Sequence, residues 1–362
     1  DYVTKLEHYR WYHLYGEGLP GDISHYHELK QLICNNYVIY SGGKFKTVRI
    51  WPREPIHMCA DEEEYRKTVH QIAETMKSNL GLIAQKWERP AVSVTGGRDS
   101  KGSLAASIHV KEKYQYFSYN SQPAEKVDCD AAEAICKAVG VPHITYEIPL
   151  DKSVYPEYDL VRAILCVNSN RRYFNHNDIM KRIYLRKANP FDVEAKSWTS
   201  EIGRAFYYKR YGVQRMQKKC TARRVNAMNN IFLMNPALMY ATDARYRDYL
   251  RSTAYNEHMF NYDWSDIIDL EMRDSRWGAD VLSCEHMFSH DVTVPYNNRH
   301  LSDLMLMVPL ADRIADRTHI DFTHELCPAI DATNISVRDV AHNNKRMWMD
   351  KIYYFITSVR PF

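Results

Sequence analysis

Apolar residues change their period along this chain, and each change marks an element. In ADEEEYRKTVHQIAETMKSNL the positions Tyr65, Val69, Ile72 and Met76 recur at intervals of four, three and four, behind a run of acids. That spacing predicts an amphipathic helix with its acids at the positive end of the dipole. Ala91 to Val94 reads as a buried strand that meets two glycines and then a helical pattern from about Ser100 to His109. YQYFSYN (Tyr114 to Asn120) reads as a second strand, DCDAAEAICKAVG as a helix stopping at Gly140, and HITYEI as a third strand. Upstream, NNYVIYSGGKFKTVRIW predicts two strands joined by a Ser-Gly-Gly hairpin, and LPGDIS carries a Pro-Gly turn. One more strand is expected before KSWTSEIGRAFYY. Helical patterns such as HLSDLMLMVPLADRIA dominate from there.

Strands alternating with helices at this spacing imply an α/β fold with a parallel, doubly wound sheet, followed by a mainly helical lobe. Sheets of this kind bind ligands at the carboxyl ends of their strands. The expected organisation is a linker and hairpin segment over 1–55, an α/β domain over 56–225 and a helical lobe over 226–362. A length of 362 residues accommodates two or three domains, at about 150 residues each.

Composition narrows the field without choosing within it. Hydrophobic content of 45% and charged content of 26% are those of a folded protein. A net charge of +3 gives no reason to invoke nucleic acid as the main partner. The eight cysteines are scattered and none forms a CxxC pair, which fits thiols in a reducing, cytoplasmic compartment better than a disulfide framework. No apolar run approaches the roughly 20 residues that span a bilayer, so no membrane partner is expected.

The chemistry concentrates in AVSVTGGRDSKGSLAAS. Consecutive glycines after a strand let the backbone approach a ligand and reach positive φ, and the following helix points free amides at the same place. Thr95 and Ser100 add hydroxyls, and Asp99 is a candidate ligand for magnesium. The arrangement suits a phosphate chain; the competing reading is a tight turn with no ligand. It is not GxxxxGK[ST], since Ser103 follows Gly102, and it is not GxGxxG.

The turn resembles the SGGxDS signature of the PP-loop ATP pyrophosphatases (adenine nucleotide alpha hydrolase-like fold), with Thr95 in place of the first serine. Most of the chain is similar to the synthetase domain of the glutamine-dependent asparagine synthetases and beta-lactam synthetases. GLPGDISHYHELKQLICNNYVIYSGGKFKTVRIWP matches that family's entry into the domain. DCDAAEAICKAVGVPH matches the helix before its third strand, including His143. RDSRWGADVLSCEHMFSHDVTVPYNNRHLSDLMLMVP is a degenerate form of its arginine-containing stretch. The resemblance implies an amide-forming ligase: a carboxylate attacks the α-phosphate of ATP, magnesium pyrophosphate leaves, and ammonia or another amine displaces AMP. By position, Thr95, Gly96, Gly97 and Ser100 are expected to cradle the phosphates, Asp99 to hold the metal, and Ser118 and Tyr119 to border the adenine.

The resemblance also exposes departures. Its second metal ligand, in a GxGxDE-like loop, falls at Glu201 in SWTSEIGR. Trp198 then stands where the family has a glutamate or tyrosine, and Ser197 and Thr199 replace glycines. A tryptophan is not a general base. The family's lysine has no counterpart in ADRIADRTHIDFTHEL, where Arg313 or Arg317 is the available cation. The glutaminase domain usual in the family is expected upstream of Asp1 or on a separate chain, unless the enzyme takes free ammonia or a bulkier amine. Two alternatives stand beside the ligase: a PP-loop enzyme that adenylates RNA or a nucleotide, and a nucleotide-binding homologue without catalysis.

Other clusters weigh less. His25, His27 and Glu28 lack a further metal ligand, and Cys284, His286 and His290 lack the HExxH pattern. The 27 tyrosines fit packing between helices better than base stacking. The basic run Met216 to Arg224 fits a solvated helix face better than an RNA contact.

Overall fold

The structure is a computed structural model and describes residues 1–10, 12, 18–168, 175–230, 233–335 and 344–359. The chain folds into two compact units that interleave in sequence, where the sequence reading set successive blocks over 1–55, 56–225 and 226–362. One unit comprises Asp1–His57, Ala205–Ala279 and Asn343–Phe362, the other Met58–Arg204 and Asp280–His342.

The first unit carries an antiparallel hairpin, β1 (Asn36–Ser41) and β2 (Lys44–Arg49). Gly42 and Gly43 turn it with φ of 56° and 74°, the two left-handed residues that a tight hairpin needs to match strand twist. Arg49 ends β2 and is sunk in a closed polar network. Its guanidinium meets both oxygens of Glu271 at 2.5 and 3.1 Å, and Glu271 also accepts from Asn35 at 3.0 Å and Tyr249 at 2.5 Å. Burial penalises each charge, and the saturated hydrogen bonding offsets that cost. The helix Pro236–Ser252 starts with proline behind an Asn235 cap, whose side chain accepts from Leu238 N–H.

The second unit is α/β. Its sheet is wholly parallel, in the order β5-β4-β3-β6-β7, with β3 Pro90–Ser93, β4 Gln115–Asn120, β5 His143–Glu147, β6 Val193–Ala195 and β7 Asp291–Thr293. The chain starts at the centre with β3, winds out through β4 to β5, then returns to the other side of β3 for β6. The order therefore reverses between β3 and β6, the place at the carboxyl ends where sheets of this kind bind ligands. Strand β7 was not foreseen, because DVT is too short to display a period.

The helix Glu62–Lys86 forms as its pattern requires. Asp61 caps Glu64 N–H, Glu64 reaches back to Ala60 N–H at 2.8 Å, and Tyr65, Val69, Ile72 and Met76 are buried. It packs with helices Arg98–Ser107 and Arg317–Leu326. Against β3 and β4, Ala91 and Phe117 pack on Leu185 and Phe191. The long helical pattern HLSDLMLMVPLADRIA is broken in two, Arg299–Met307 and Leu310–Ile314. Pro309 forces Val308 into an extended conformation and ends the first helix. All eight cysteines are free. Among the described residues, no helix is long and apolar enough to cross a membrane.

Candidate functional site

Strand β3 delivers Thr95 to Ser100 to the carboxyl edge of the sheet at the reversal point. The turn is held by its own hydroxyls. Thr95 N–H donates to Ser100 Oγ at 3.1 Å, the two hydroxyls lie 2.9 Å apart, and Gly97 N–H donates to Thr95 Oγ1 at 3.1 Å. Neither glycine takes a positive φ, contrary to expectation; Gly97 sits at φ −72° and ψ 155° as the residue before the helix. Its value is closeness, since a Cβ there would lie 3.2 Å from Thr95 Oγ1. The helix Arg98–Ser107, starting two residues ahead of the predicted Ser100, has no side-chain cap. An uncapped helix start of this kind can receive an anion. Gly96 N–H is engaged by a carboxylate, Asp128 Oδ1 at 3.3 Å. Burial raises the pKa of that acid, and the Gly96 amide works against the rise.

Asp99 faces an internal cation. Arg204 Nη1 donates to its two oxygens at 2.8 and 2.7 Å, and Ser200 Oγ donates to Oδ1. His319 Nε2 lies 3.8 Å away. Burial alone would raise the Asp99 pKa, but Arg204, with His319 and Ser200, holds the carboxyl below its ordinary value. Arg204 is anchored from behind by Asp316, with Nε to Oδ1 at 2.8 Å and Nη2 to Oδ2 at 3.3 Å. A magnesium ion bonds oxygen at about 2.1 Å and demands near-octahedral room. With a guanidinium across both oxygens, Asp99 does not fit the expected metal-ligand role.

The segment after β6 completes this wall. Glu201 and Arg204 share the short 3₁₀ helix Ser200–Arg204, and Glu201 and Trp198 are half-buried. Thr199 takes φ 65°, the left-handed conformation that suits the glycine expected in that loop, and a β-branched residue holds it at a cost. Ser197 Oγ pairs with Ser103 Oγ at 2.7 Å. Gly102 lets Tyr296 come close: a Cβ would fall 2.3 Å from the Tyr296 hydroxyl, which donates to the Asp99 carbonyl at 3.0 Å.

Other predicted residues are engaged elsewhere. Arg313 is buried and donates to the carbonyls of Val308 and Ile202 at 3.2 and 3.4 Å. Arg317 grips Glu62 at 2.7 and 2.8 Å and lies over the Tyr65 ring. Ser118 is buried, donating to Val94 O at 2.6 Å, with His143 Nε2 2.9 Å away. Tyr119 lies in a buried charged cluster: its hydroxyl donates to Glu194 at 3.1 Å and accepts from Lys196 at 3.0 Å. Burial pushes its pKa far up, and Glu194 adds to the rise. Among the described residues, Glu194, Glu285 and His290 form the group whose geometry could hold a metal ion. Lys196 Nζ stands 3.1 Å from both acids and supplies the cation itself. His25 of the earlier histidine cluster pairs with Glu7.

Arg204, Asp128, Tyr296 and Asp316 were missed by sequence reasoning: the first three contact the turn from positions remote in sequence, and Asp316 holds Arg204 from behind. No protein-family model matches the chain, and no curated protein matches it. Among solved structures, an NH3-dependent NAD synthetase from Campylobacter jejuni subsp. jejuni NCTC 11168, in complex with the nitrate ion, is similar over 52% of this chain and 96% of its own, with 10% identity and a TM-score of 0.26. A likeness of that size leaves function to be argued from the residues.

Proposed function

We propose that the Thr95–Ser100 turn binds the polyphosphate of ATP in a PP-loop type site, and that the protein is an ATP-dependent carbon–nitrogen ligase resembling the asparagine synthetases. The observation that carries the reading is the uncapped helix start at Gly97, set at the sheet's reversal point with Thr95 and Ser100 beside it. Amides and hydroxyls in such a place are preorganised for the charge that grows on a departing pyrophosphate. A substrate carboxylate oxygen forms a bond to the α-phosphorus as the bond to pyrophosphate breaks. The amine nitrogen then bonds to the acyl carbon, and AMP leaves with the C–O electron pair. The proton lost by the amine passes to a carboxylate or water, since Trp198 accepts none. Glu201, three residues on, is the acid nearest in sequence for that role. Ammonia delivered by a separate glutaminase fits the same scheme.

Release of pyrophosphate from ATP in the presence of candidate carboxylic acids tests the reading. Acid-dependent release is expected, and its absence with a broad acid panel, while ATP still binds, would favour a second reading. That reading is a nucleotide-binding homologue without ligase turnover, and what favours it is Trp198 together with the Arg204 pair on Asp99.

A further inference from the structure

We propose that Arg204 replaces the metal at Asp99, so that the turn binds a nucleoside triphosphate without a divalent cation bridging Asp99 to the phosphates. The inference rests on the nucleotide reading of the turn, and it is carried by one arrangement. Arg204 is not a surface arginine that happens to meet an acid. Asp99 at the start of one helix and Asp316 at the start of another hold its guanidinium between them, with four contacts of 2.7 to 3.3 Å. The arginine side chain is 17% exposed and Asp99 23% exposed, so the pair lies at the edge of solvent. Asp316 itself takes φ 60°, a left-handed conformation held at the point of contact.

A metal on Asp99 would have to approach one of two oxygens that already face Nη1 at 2.8 and 2.7 Å. Two cations at that separation repel strongly in a partly buried site. Moving Arg204 aside would also break its two hydrogen bonds to the buried Asp316 carboxylate. A guanidinium carries five donors, and Nη2 makes a single bond to Asp316, which leaves a donor for a phosphate oxygen. The turn supplies further positive charge. Arg98 follows Gly97 directly, and Lys101 is buried one residue beyond Ser100, its pKa lowered first by burial and next by Arg98. The Lys101 ammonium itself donates to the Ile335 carbonyl, so Arg204 is the cation set against the turn's acid. Charge on a polyphosphate can be met by protein rather than by an ion.

The test is equilibrium binding of ATP to the full chain by titration calorimetry, in EDTA and again in excess magnesium, with Arg204→Gln, Arg204→Lys and Asp99→Asn beside the wild type. Thermal melts verify that each variant is folded. The wild type is expected to bind with affinities within about threefold in the two conditions. Arg204→Gln is expected to lose about tenfold or more in EDTA and to regain affinity with magnesium, a change near 1.4 kcal/mol. Arg204→Lys is expected to restore part of the EDTA affinity. Asp99→Asn removes one of the two charges that hold the guanidinium, leaves Asp316 to anchor it, and is expected to keep EDTA binding at or above the wild-type level; if Arg204→Gln fails to fold, this variant alone decides. Wild-type binding that needs magnesium and is lost in Asp99→Asn would overturn the inference and leave the nucleotide reading standing. Absence of ATP binding in both conditions would overturn both.

Discussion

Arg204 lies across the Asp99 carboxylate, with one nitrogen 2.8 and 2.7 Å from its two oxygens, although 105 residues separate them. The turn proposed to bind phosphate therefore carries an acid whose charge is already balanced. The same turn has a second acid at its mouth, and the two acids behave differently.

Asp128 accepts from Gly96 N–H at 3.3 Å, and Glu125 nearby adds to the rise in its pKa that burial causes. If the turn holds ATP as proposed, a phosphate oxygen competes with Asp128 for that amide. Asp128→Asn keeps the shape and removes the negative charge, so ATP affinity is expected to rise about five- to tenfold, roughly 1 kcal/mol. Titration of ATP into the variant at low and high salt checks this. An affinity that falls would mean that Asp128 orders the turn rather than competing for it.

Thr199 holds φ 65° with a β-branched side chain whose hydroxyl is buried without a hydrogen-bond partner. Thr199→Gly removes both penalties and gives back some chain entropy to the unfolded state, for a net gain of about 1 kcal/mol. A urea melt should show a higher midpoint at unchanged slope. A lower midpoint would show that the threonine methyl packs more usefully than its backbone is strained.

Gly102 has the opposite character, because a methyl group there meets the Tyr296 hydroxyl at 2.3 Å and the Phe322 ring at 2.6 Å. Gly102→Ala is expected to cost about 1–3 kcal/mol through overpacking. It should also weaken ATP binding by displacing Tyr296 from the Asp99 carbonyl. Stability and affinity measured together on this variant separate the two effects.

In the other unit, Glu271 neutralises buried Arg49. Glu271→Ala strands that charge, and a loss of about 3–5 kcal/mol is expected. Replacing Arg49 and Glu271 together with apolar residues should cost less than the single change. Chemical denaturation of both variants checks the order.

Protonation of His143 is coupled to stability. Burial lowers its folded-state pKa, so between that value and the unfolded value of about 6.5 the unfolded chain binds more protons. Stability contributed by the neutral ring is present above about pH 6.5 and is lost as pH falls. The exposed His70–Glu325 pair acts in the opposite sense, since the pair raises the His70 pKa, and salt screens it. Melting temperatures at high salt should therefore drop between pH 7 and 5, and His143→Gln should flatten the drop. An unchanged slope in that variant would assign the pH dependence elsewhere.

The sequence carried the turn because two local signals coincide there: a strand period ends at Val94 and a helical one begins within a few residues, with glycines between. The parallel sheet was legible for the same reason as far as β6. Arg204 was not legible, since its partners Asp99 and Asp316 lie 105 and 112 residues away, and an arginine after SEIG has no local signature. Tyr119 was assigned to the adenine by position, yet it is tied to Glu194 and Lys196. A clue existed: an acid in the middle of a short strand of a parallel sheet, where apolar residues are the rule, announces a buried partner. The interleaving of the two units has no sequence signature at all, because the breaks at residues 204 and 279 fall inside helical stretches.

Polyphosphate binding at Thr95–Ser100 is tested most directly by the amide resonances of Gly96 and Gly97 during an ATP titration. Both amides should shift strongly and saturate together with pyrophosphate as a competitor, Gly96 moving as Asp128 yields its hydrogen bond. Shifts confined to other residues, or none at saturating ATP, would contradict the assignment of this turn as the nucleotide site.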